Sequence, residues 1–513
     1  MNTLASATNA TDRTETPASP RRRTEARALE IVIYAGCAFL LLSQIAFNFV
    51  DIDLWHQMGL IRESLAAGRL LTQDPFAYTP TLHPMIDHEW AAGALAFFLT
   101  QWMSGAGILL PKFATAFGTL FLALRLARQR GASATVLGFL APVSIGLFYG
   151  GFLPVIRAHA YSFLFSAVLL CVFEMDRQGR HQWLWVWLAA WPLWVNLHAG
   201  FVVGIGYVFL YCVEQASLRK PLRSAALAFC GMGIEVFINP YGTRYFTYLA
   251  RALTMARPRI AEWKPIWTLG WNTTVLFTVA LAVLVFALAR SQALREPGVL
   301  LLAASGMEAV LHRKLLPFFA IAWLCYVPAY FQKTTAGQWL QKFSQRHTRF
   351  LLLAWTFVIA ACLVPALKLR FWKVEVPQVA GKASYPVGAV DYLAAQNFHG
   401  NVMVPFASGA YVSWKLYPAV KVSVDSRYEV AYPDDWVERT FRFYDAAGDW
   451  RATLDVYPTD LVLTPSVAPV GALLREHGWK RVYVDAQFEI CARPGTHLPA
   501  ADHSGTIFSG TFP

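Results

Sequence analysis

Charge is what this sequence has least of. Only 15% of its 513 residues are charged, against 56% hydrophobic ones that include 19 Trp and 36 Phe, and that balance excludes an ordinary soluble enzyme. Compact metal signatures are lacking as well: no HExxH occurs, and the 7 cysteines form no CxxC pair. Cys37, Cys171, Cys212, Cys230, Cys325 and Cys362 fall in apolar runs, where cysteine reads as a small core hydrophobe. There is no glycine-rich phosphate loop and no GxSxG elbow. No internal repeat is visible, which counts against a transporter built from inverted halves.

What the chain does have is a succession of apolar runs, as a polytopic membrane protein requires. At about 20 residues per crossing, fewer where protein shelters an end, the candidate spans are 29–50, 107–125, 134–154, 159–175, 183–196, 199–216, 224–239, 273–290, 297–311, 315–331 and 350–369, about eleven helices. The net charge of +12 comes mainly from short basic loops between these runs. The positive-inside rule explains them better than nucleic acid does, so no nucleic-acid partner is expected. With "RRRTEAR" inside, the loops 125–131, 175–181, 217–223, 289–296 and 341–349 also fall inside, provided that 90–104 is a half-helix or interfacial helix that does not cross.

The polar residues 1–28 read as a disordered cytoplasmic tail, 29–370 as the transmembrane domain with a first outer loop at 51–89, and 371–495 as an extracytoplasmic α/β domain. In that last region "NVMVP", "VKVSVDS", "DLVLTP" and "RVYVDAQFEICA" are strand-like runs between helical ones. Residues 496–513 read as a second disordered tail. The expected topology is multi-pass, with the N-terminus cytoplasmic and the C-terminal domain extracytoplasmic.

The same topology collects unexplained polar residues at the outer face: Asp51, Asp53, His88, Glu89, Arg157, His159, His198, Asn239, Glu262, His312 and Arg313. In "FVDIDLWHQMG" (49–59) two acids end a span and an amphipathic helix follows, with Leu54, Met58, Ile61 and Leu65 on one face, as for a helix lying in the interface and roofing a cleft. If 51–53 is extended the two carboxylates share a side; if it is helical they diverge by about 200°. The plainer alternative is that both only cap the helix. Arg157 can equally snorkel to lipid phosphate, and His198, in the polar break "WVNLHAGF", can be a satisfied structural histidine. Glu235 and Asn239, like Glu308 and His312, sit four apart on a helical face. Arg313 and Lys314 break the positive-inside trend, and phosphate binding explains that economically. The outer histidines and acids leave a divalent metal open, without a compact ligand set.

"DIDLWHQMGLIRESLAAGRLLTQDPFAYT", "DHEW", "WVNLHAGF", "INPYG", "AEWKP", "HRKLLPFFAIA" and "VSVDSRYEVAY" together resemble a group of bacterial polytopic proteins of the GT-C glycosyltransferase class. The group looks like distant kin of the protein O-mannosyltransferases and the lipid A aminoarabinose transferases. The resemblance covers most of 29–495 and includes a D-x-R segment at Asp425 and Arg427. It implies a sugar carried on a polyprenyl phosphate, an active site at the outer face, and inverting transfer of a hexosyl or pentosyl group to a glycan, lipid or protein acceptor. By position, Asp53 is implied as the general base, with Asp51 beside it, while Arg157, His159, His312 and Arg313 would take the donor phosphate. His88, Glu89, His198, Asn239 and Glu262 would line the cleft on the acceptor side. "RAHAYSF" lacks the group's basic, Pro-containing motif, and "NLHAGF" lacks a second Gly. The alternatives from other classes are a non-catalytic polysaccharide assembly or export component, and a transporter.

Overall fold

The computed structural model describes residues 20–152, 155–368, 371–377 and 385–513. Fifteen helices precede the sheet region among them: α1 Pro20–Ile45, α2 Ile52–Ala66, α3 Trp90–Met103, α4 Gly105–Gln129, α5 Ala134–Phe152, α6 His159–Arg177, α7 Gln182–Leu197, α8 Phe201–Ser217, α9 Arg223–Glu235, α10 Arg244–Thr254, α11 Trp271–Ser291, α12 Val299–Leu311, α13 Leu316–Gln332, α14 Thr335–Arg346 and α15 Thr348–Lys368. Every run read as a span coincides with a helix. Among the described residues, six helical segments are long and apolar enough to cross a membrane: Arg23–Ile45, Gly105–Gln129, His159–Arg177, Trp271–Ser291, Arg313–Gln332 and Thr348–Lys368. The protein is therefore a multi-pass membrane protein built mainly of helices.

Helix α13 is the axis of the bundle. Its sequence "LPFFAIAWLCYVPAYFQ" is apolar on every side, and each residue from Leu316 to Tyr330 is buried, as all-round hydrophobicity requires. The Trp323 indole donates to Ala280 O of α11 at 2.9 Å, and Ser144 of α5 donates to Ala320 O at 2.9 Å. By contrast α15 exposes Phe350, Leu353 and Phe357, an outward apolar face suited to lipid.

Helix α3 keeps to one end of the bundle. Fourteen residues at 1.5 Å each give about 21 Å, short of a bilayer core of about 30 Å. Ser104, at φ 53°, then turns the chain tightly into α4, and Gly107 lies so near Leu99 O that a Cβ would come within 2.2 Å of it.

At the opposite end the basic loops meet acids from neighbouring helices. Arg128 pairs with Glu30 at 2.9 Å, Arg130 with Glu174 at 2.7 Å, Arg177 with Glu214 at 2.6 Å, Lys333 with Glu296 at 2.6 Å and Arg349 with Glu25 at 3.2 Å.

Two short strands, β1 Phe49–Val50 and β2 Val155–Ile156, pair in parallel. β3 Val376–Pro377 follows the last helix of the bundle. The sheet comprises β4 Gly400–Met403, β5 Val420–Val422, β6 Leu461–Pro465, β7 Lys480–Val484, β8 Phe488–Ala492 and β9 Ala501–Asp502, in the order β5-β4-β6-β8-β7-β9. Parallel pairing holds β5, β4 and β6 together, and β8 runs antiparallel to both β6 and β7. Helices α16 Val387–Ala395, α17 Gly409–Leu416, α18 Tyr428–Ala431 and α19 Asp434–Tyr444 accompany the sheet.

Three expectations change here. Residues 1–19 of the predicted first tail lie outside the described residues, but 20–28 already belong to α1, where Arg21 and Glu25 pair four apart. The predicted second tail, 496–513, is folded. It supplies β9 to the sheet, β10 Ser509–Gly510 pairs with β3, and Phe512 packs 5.4 Å from Trp55. Its few apolar residues find a ready-made aromatic surface, which composition alone does not reveal. Third, α2 is not an interfacial helix with a wet face. Leu54 through Ile61 are all buried, because α3 covers one side and α17 the other. Leu65, read as part of the apolar stripe, is 54% exposed.

The first loop is woven into the sheet region. Tyr78 N donates to Val422 O and Val422 N to Phe76 O, so residues 76–78 extend the β5 edge. Arg427 is buried and binds Asp425 through Nε at 2.8 Å and Nη2 at 2.6 Å, and Asp74 of the loop through Nη1 at 2.5 Å. The D-x-R segment is thus an internal ion cluster that holds loop and sheet together.

Candidate active site

The two-residue ladder sets the site. Phe49 pairs with Val155 and Val50 with Ile156, so the next residues on each strand, Asp51 and Arg157, emerge side by side. Asp51 is extended (φ −72°, ψ 150°) and caps α2, its Oδ1 accepting from Asp53 N at 2.9 Å. The helix begins immediately afterwards, yet both carboxylates reach the same guanidinium. Arg157 Nε is 3.0 Å from Asp51 Oδ2 and Nη2 is 3.6 Å from Asp53 Oδ2, while Nη1 binds Glu262. Asp51 is therefore a cap and an ion-pair partner at once.

The lysine under this corner was legible only as a charge inside an apolar run. Lys112, in "GILLPKFATAF" of α4, is 3% exposed, and its ammonium donates to Ile45 O at 2.9 Å, Phe47 O at 2.6 Å and Asn48 Oδ1 at 2.8 Å. It caps the end of α1 and fixes the bend that feeds β1. Lys112 and Arg157 also line one small cleft with Leu54, Gln57, Ile156 and Tyr161.

A second cluster gathers on Glu89, at the N-terminus of α3. Glu89 Oε1 is 3.4 Å from His88 Nε2 and 3.4 Å from His198 Nε2, and Gln57 donates to Oε2. His198 Nδ1 accepts from Gly200 N at 2.9 Å and lies 2.7 Å from Ser162 Oγ, which leaves the ring proton on Nε2, facing Glu89. The His88 ring stacks on Tyr248 at 4.8 Å, and Trp90 donates to Asn196 Oδ1 at 2.8 Å. The His159 ring stands 6.0 Å from that of His198, bringing it to the same side.

Glu262 leads to the third group. Its neighbour Trp263 accepts at its carbonyl from His312 Nδ1, 3.1 Å away, and stacks edge-on with that imidazole. Arg257 and Lys314 lie on the Trp263 ring, at 4.6 Å and 4.2 Å from its centroid. Arg257 is tied to Glu429 of α18 at 3.0 Å. Lys314 has no ion-pair partner among the described residues, and its charge is felt by Glu262 and His198. Arg313, by contrast, spends its side chain on Thr268 O at 3.5 Å. Asn239 is not brought into the cluster: it closes its own turn by donating to Val236 O and accepting from Tyr241 N. Glu308 is exposed on α12.

These surroundings separate the acids. Burial, reinforced by Asp51, pushes the Asp53 carboxyl up to about 7, although its side chain remains 30% exposed. Asp51 is also raised, by burial, against the pull of Arg157. Burial acts on Glu262 and Glu89 in the same direction but is outweighed, by Arg157 for the first and His88 for the second, so both fall below the usual range. Burial drives His198 and His56 down to about 4 each, and His56 is held 3.1 Å from Ser426 Oγ of the sheet region. Two carboxylates locked as anions and one poised near neutrality is a division suited to general base chemistry. For the divalent metal left open above, the described residues contain no group of three or more His, Cys, Asp or Glu side chains that could hold one.

No protein-family model and no curated protein matches the sequence. Solved structures do match in shape. An archaeal oligosaccharyltransferase, AglB from Archaeoglobus fulgidus in complex with an inhibitory peptide and a dolichol-phosphate, aligns over 87% of this chain and 70% of its own, with a TM-score of 0.54 at 12% identity. The fold is GT-C-like. Two further GT-C proteins align below a TM-score of 0.5: the arabinofuranosyltransferase AftD from Mycobacteria (0.49, 13% identity, 95% of this chain and 40% of that one) and ArnT from Cupriavidus metallidurans bound to undecaprenyl phosphate (0.44, 10% identity, 93% and 98%). At these identities the likeness of the GT-C-like chain to its neighbours concerns architecture alone.

Proposed function

We propose that this protein is a membrane glycosyltransferase that moves a sugar from a polyprenyl-phosphate donor to an envelope acceptor at the outer face of the cytoplasmic membrane. The observation that carries the reading is Asp53, a carboxylate 30% exposed and poised near neutrality beside Arg157, while Glu262 and Glu89 are held as anions by their own partners. The GT-C-like fold supports it, since AglB with that fold was solved with a dolichol-phosphate.

Asp53 accepts the acceptor's hydroxyl proton as the oxygen attacks the anomeric carbon. The bond from that carbon to the phosphate oxygen breaks from the opposite face, so the configuration inverts, and the polyprenyl phosphate leaves with the electron pair. Lys314 is the cation for that phosphate, with His159 beside it. Arg157, whose three nitrogens are engaged by acids, holds the carboxylates instead. Donor tails enter along the lipid face, and the sheet region, outside the membrane, backs α2. In this reading about eleven helices cross and the N-terminus is cytoplasmic.

Purified protein is incubated with radiolabelled polyprenyl-phosphate sugars and envelope extract. Transfer by the wild type and none by a folded Asp53→Asn variant supports the reading; full complementation in cells by that variant sinks it.

A further inference from the structure

Three carboxylates from three separate segments converge on one point, and that point is a side chain. Asp51 closes the first strand, Asp53 opens α2 and Glu262 comes from the turn after α10, and each takes a different nitrogen of Arg157. A guanidinium is planar, permanently charged and carries five N–H donors, so it can satisfy several acids at fixed angles. Its backbone is set by the β1–β2 ladder, and its side chain is only 20% exposed. Acids crowded in this way need a resident cation, a part commonly filled by a divalent ion.

We infer that Arg157 is this site's built-in cation, holding Asp51, Asp53 and Glu262 apart on its three nitrogens and supplying the positive charge itself, so that the protein works without a divalent metal. Each of the three acids places one oxygen on the guanidinium. Lys314 and Arg313 add positive charge at Glu262, and these cations oppose a second positive ion. The consequence for catalysis rests on the transferase reading above; the consequence for metal binding does not.

Replacing Arg157 with a small neutral residue empties the centre of the three acids, which are then expected to close on an ion that the wild-type arrangement does not hold. Mn2+ is the probe, followed by electron paramagnetic resonance on the full chain in nanodiscs. Wild type is expected to bind no Mn2+ at this end of the bundle. Arg157→Ser is expected to bind one ion roughly tenfold or more tighter than any wild-type binding, and to lose it when Glu262→Gln is added. A wild-type Mn2+ site that disappears with Asp51→Asn overturns the inference, as does a folded, monodisperse Arg157→Ser that takes up no ion. Should Arg157→Ser not fold, the wild type decides: transfer unchanged by EDTA upholds the inference, and transfer abolished by EDTA and restored by Mn2+ overturns it. Absence of transfer under every condition refutes the transferase reading and leaves the binding result standing.

Discussion

The two polar ends of the bundle use similar residues for opposite purposes. At the end formed by the basic loops, Arg128, Arg130, Arg177 and Arg349 each pair with an acid of a neighbouring helix. Arg177 holds Glu214 at 2.6 Å with its side chain 7% exposed, Glu214 also accepts from Gly298 N at 2.6 Å, and Asp176 accepts from Tyr211 and His181. At the other end the acids outnumber the cations around Arg157, Asp53 is left partly ionised near pH 7, and Lys314 has an aromatic ring but no acid. A network that is nearly balanced fixes helices to one another. One that is unbalanced keeps charge in reserve for a ligand, and its imbalance, more than its composition, marks the functional end.

The most direct way to break this comparison is to neutralise one acid at each end. Asp53→Asn is expected to lower the transfer rate by roughly 10²- to 10⁴-fold while leaving the melting temperature unchanged or higher, because the folded site already disfavours the second negative charge. Radiolabel transfer and a thermal melt on the same preparation check both halves. Arg177→Ala should do the reverse, costing about 3–5 kcal/mol by stranding buried Glu214, seen as a lower melting temperature and poor recovery of monodisperse protein. If Arg177→Ala instead melts normally and transfers poorly, the division between ends is wrong.

Smaller effects sharpen the picture. Lys314→Met is expected to raise the KM for the donor by about tenfold, the value of one charge-assisted contact, with acceptor KM unchanged. The pH profile of kcat/KM should rise about tenfold per unit below a limb near pH 7, the sign expected when Asp53 must be deprotonated to act. Ser426→Ala, which removes only the hydroxyl beside His56, should cost about 1 kcal/mol or less of stability and change the rate a few-fold at most.

Sequence patterns made the bundle legible because spans are long, local and strongly apolar. The strands were legible for a similar reason: "DLVLTP" became β6, and "RVYVDAQFEICA" became the hairpin of β7 and β8. What remained hidden is whatever depends on distant partners. α2 looks amphipathic in isolation, and nothing local says that α17, some 350 residues on, will cover its polar side. The tail after Gly495 looks loose until β3 and the ring of Trp55 are known. In the site, Asp51, Asp53, Arg157 and Glu262 could be named from topology, but not that three acids share one guanidinium, nor that Lys314 lies on the Trp263 ring while Arg313 turns to Thr268 O. Lys112 carried a visible signal, a charge within an apolar run, whose meaning required the end of α1.

The β1–β2 ladder is only two residues long, and strand side chains alternate in direction. The path from the end of α1 to Asp51 is therefore a ruler. One residue inserted between Ile45 and Asp51 would turn the acid away from Arg157 while leaving every side chain of the site present, and two would restore its direction at the wrong height. Across related chains, substitutions can accumulate in this stretch far more readily than any change in its length.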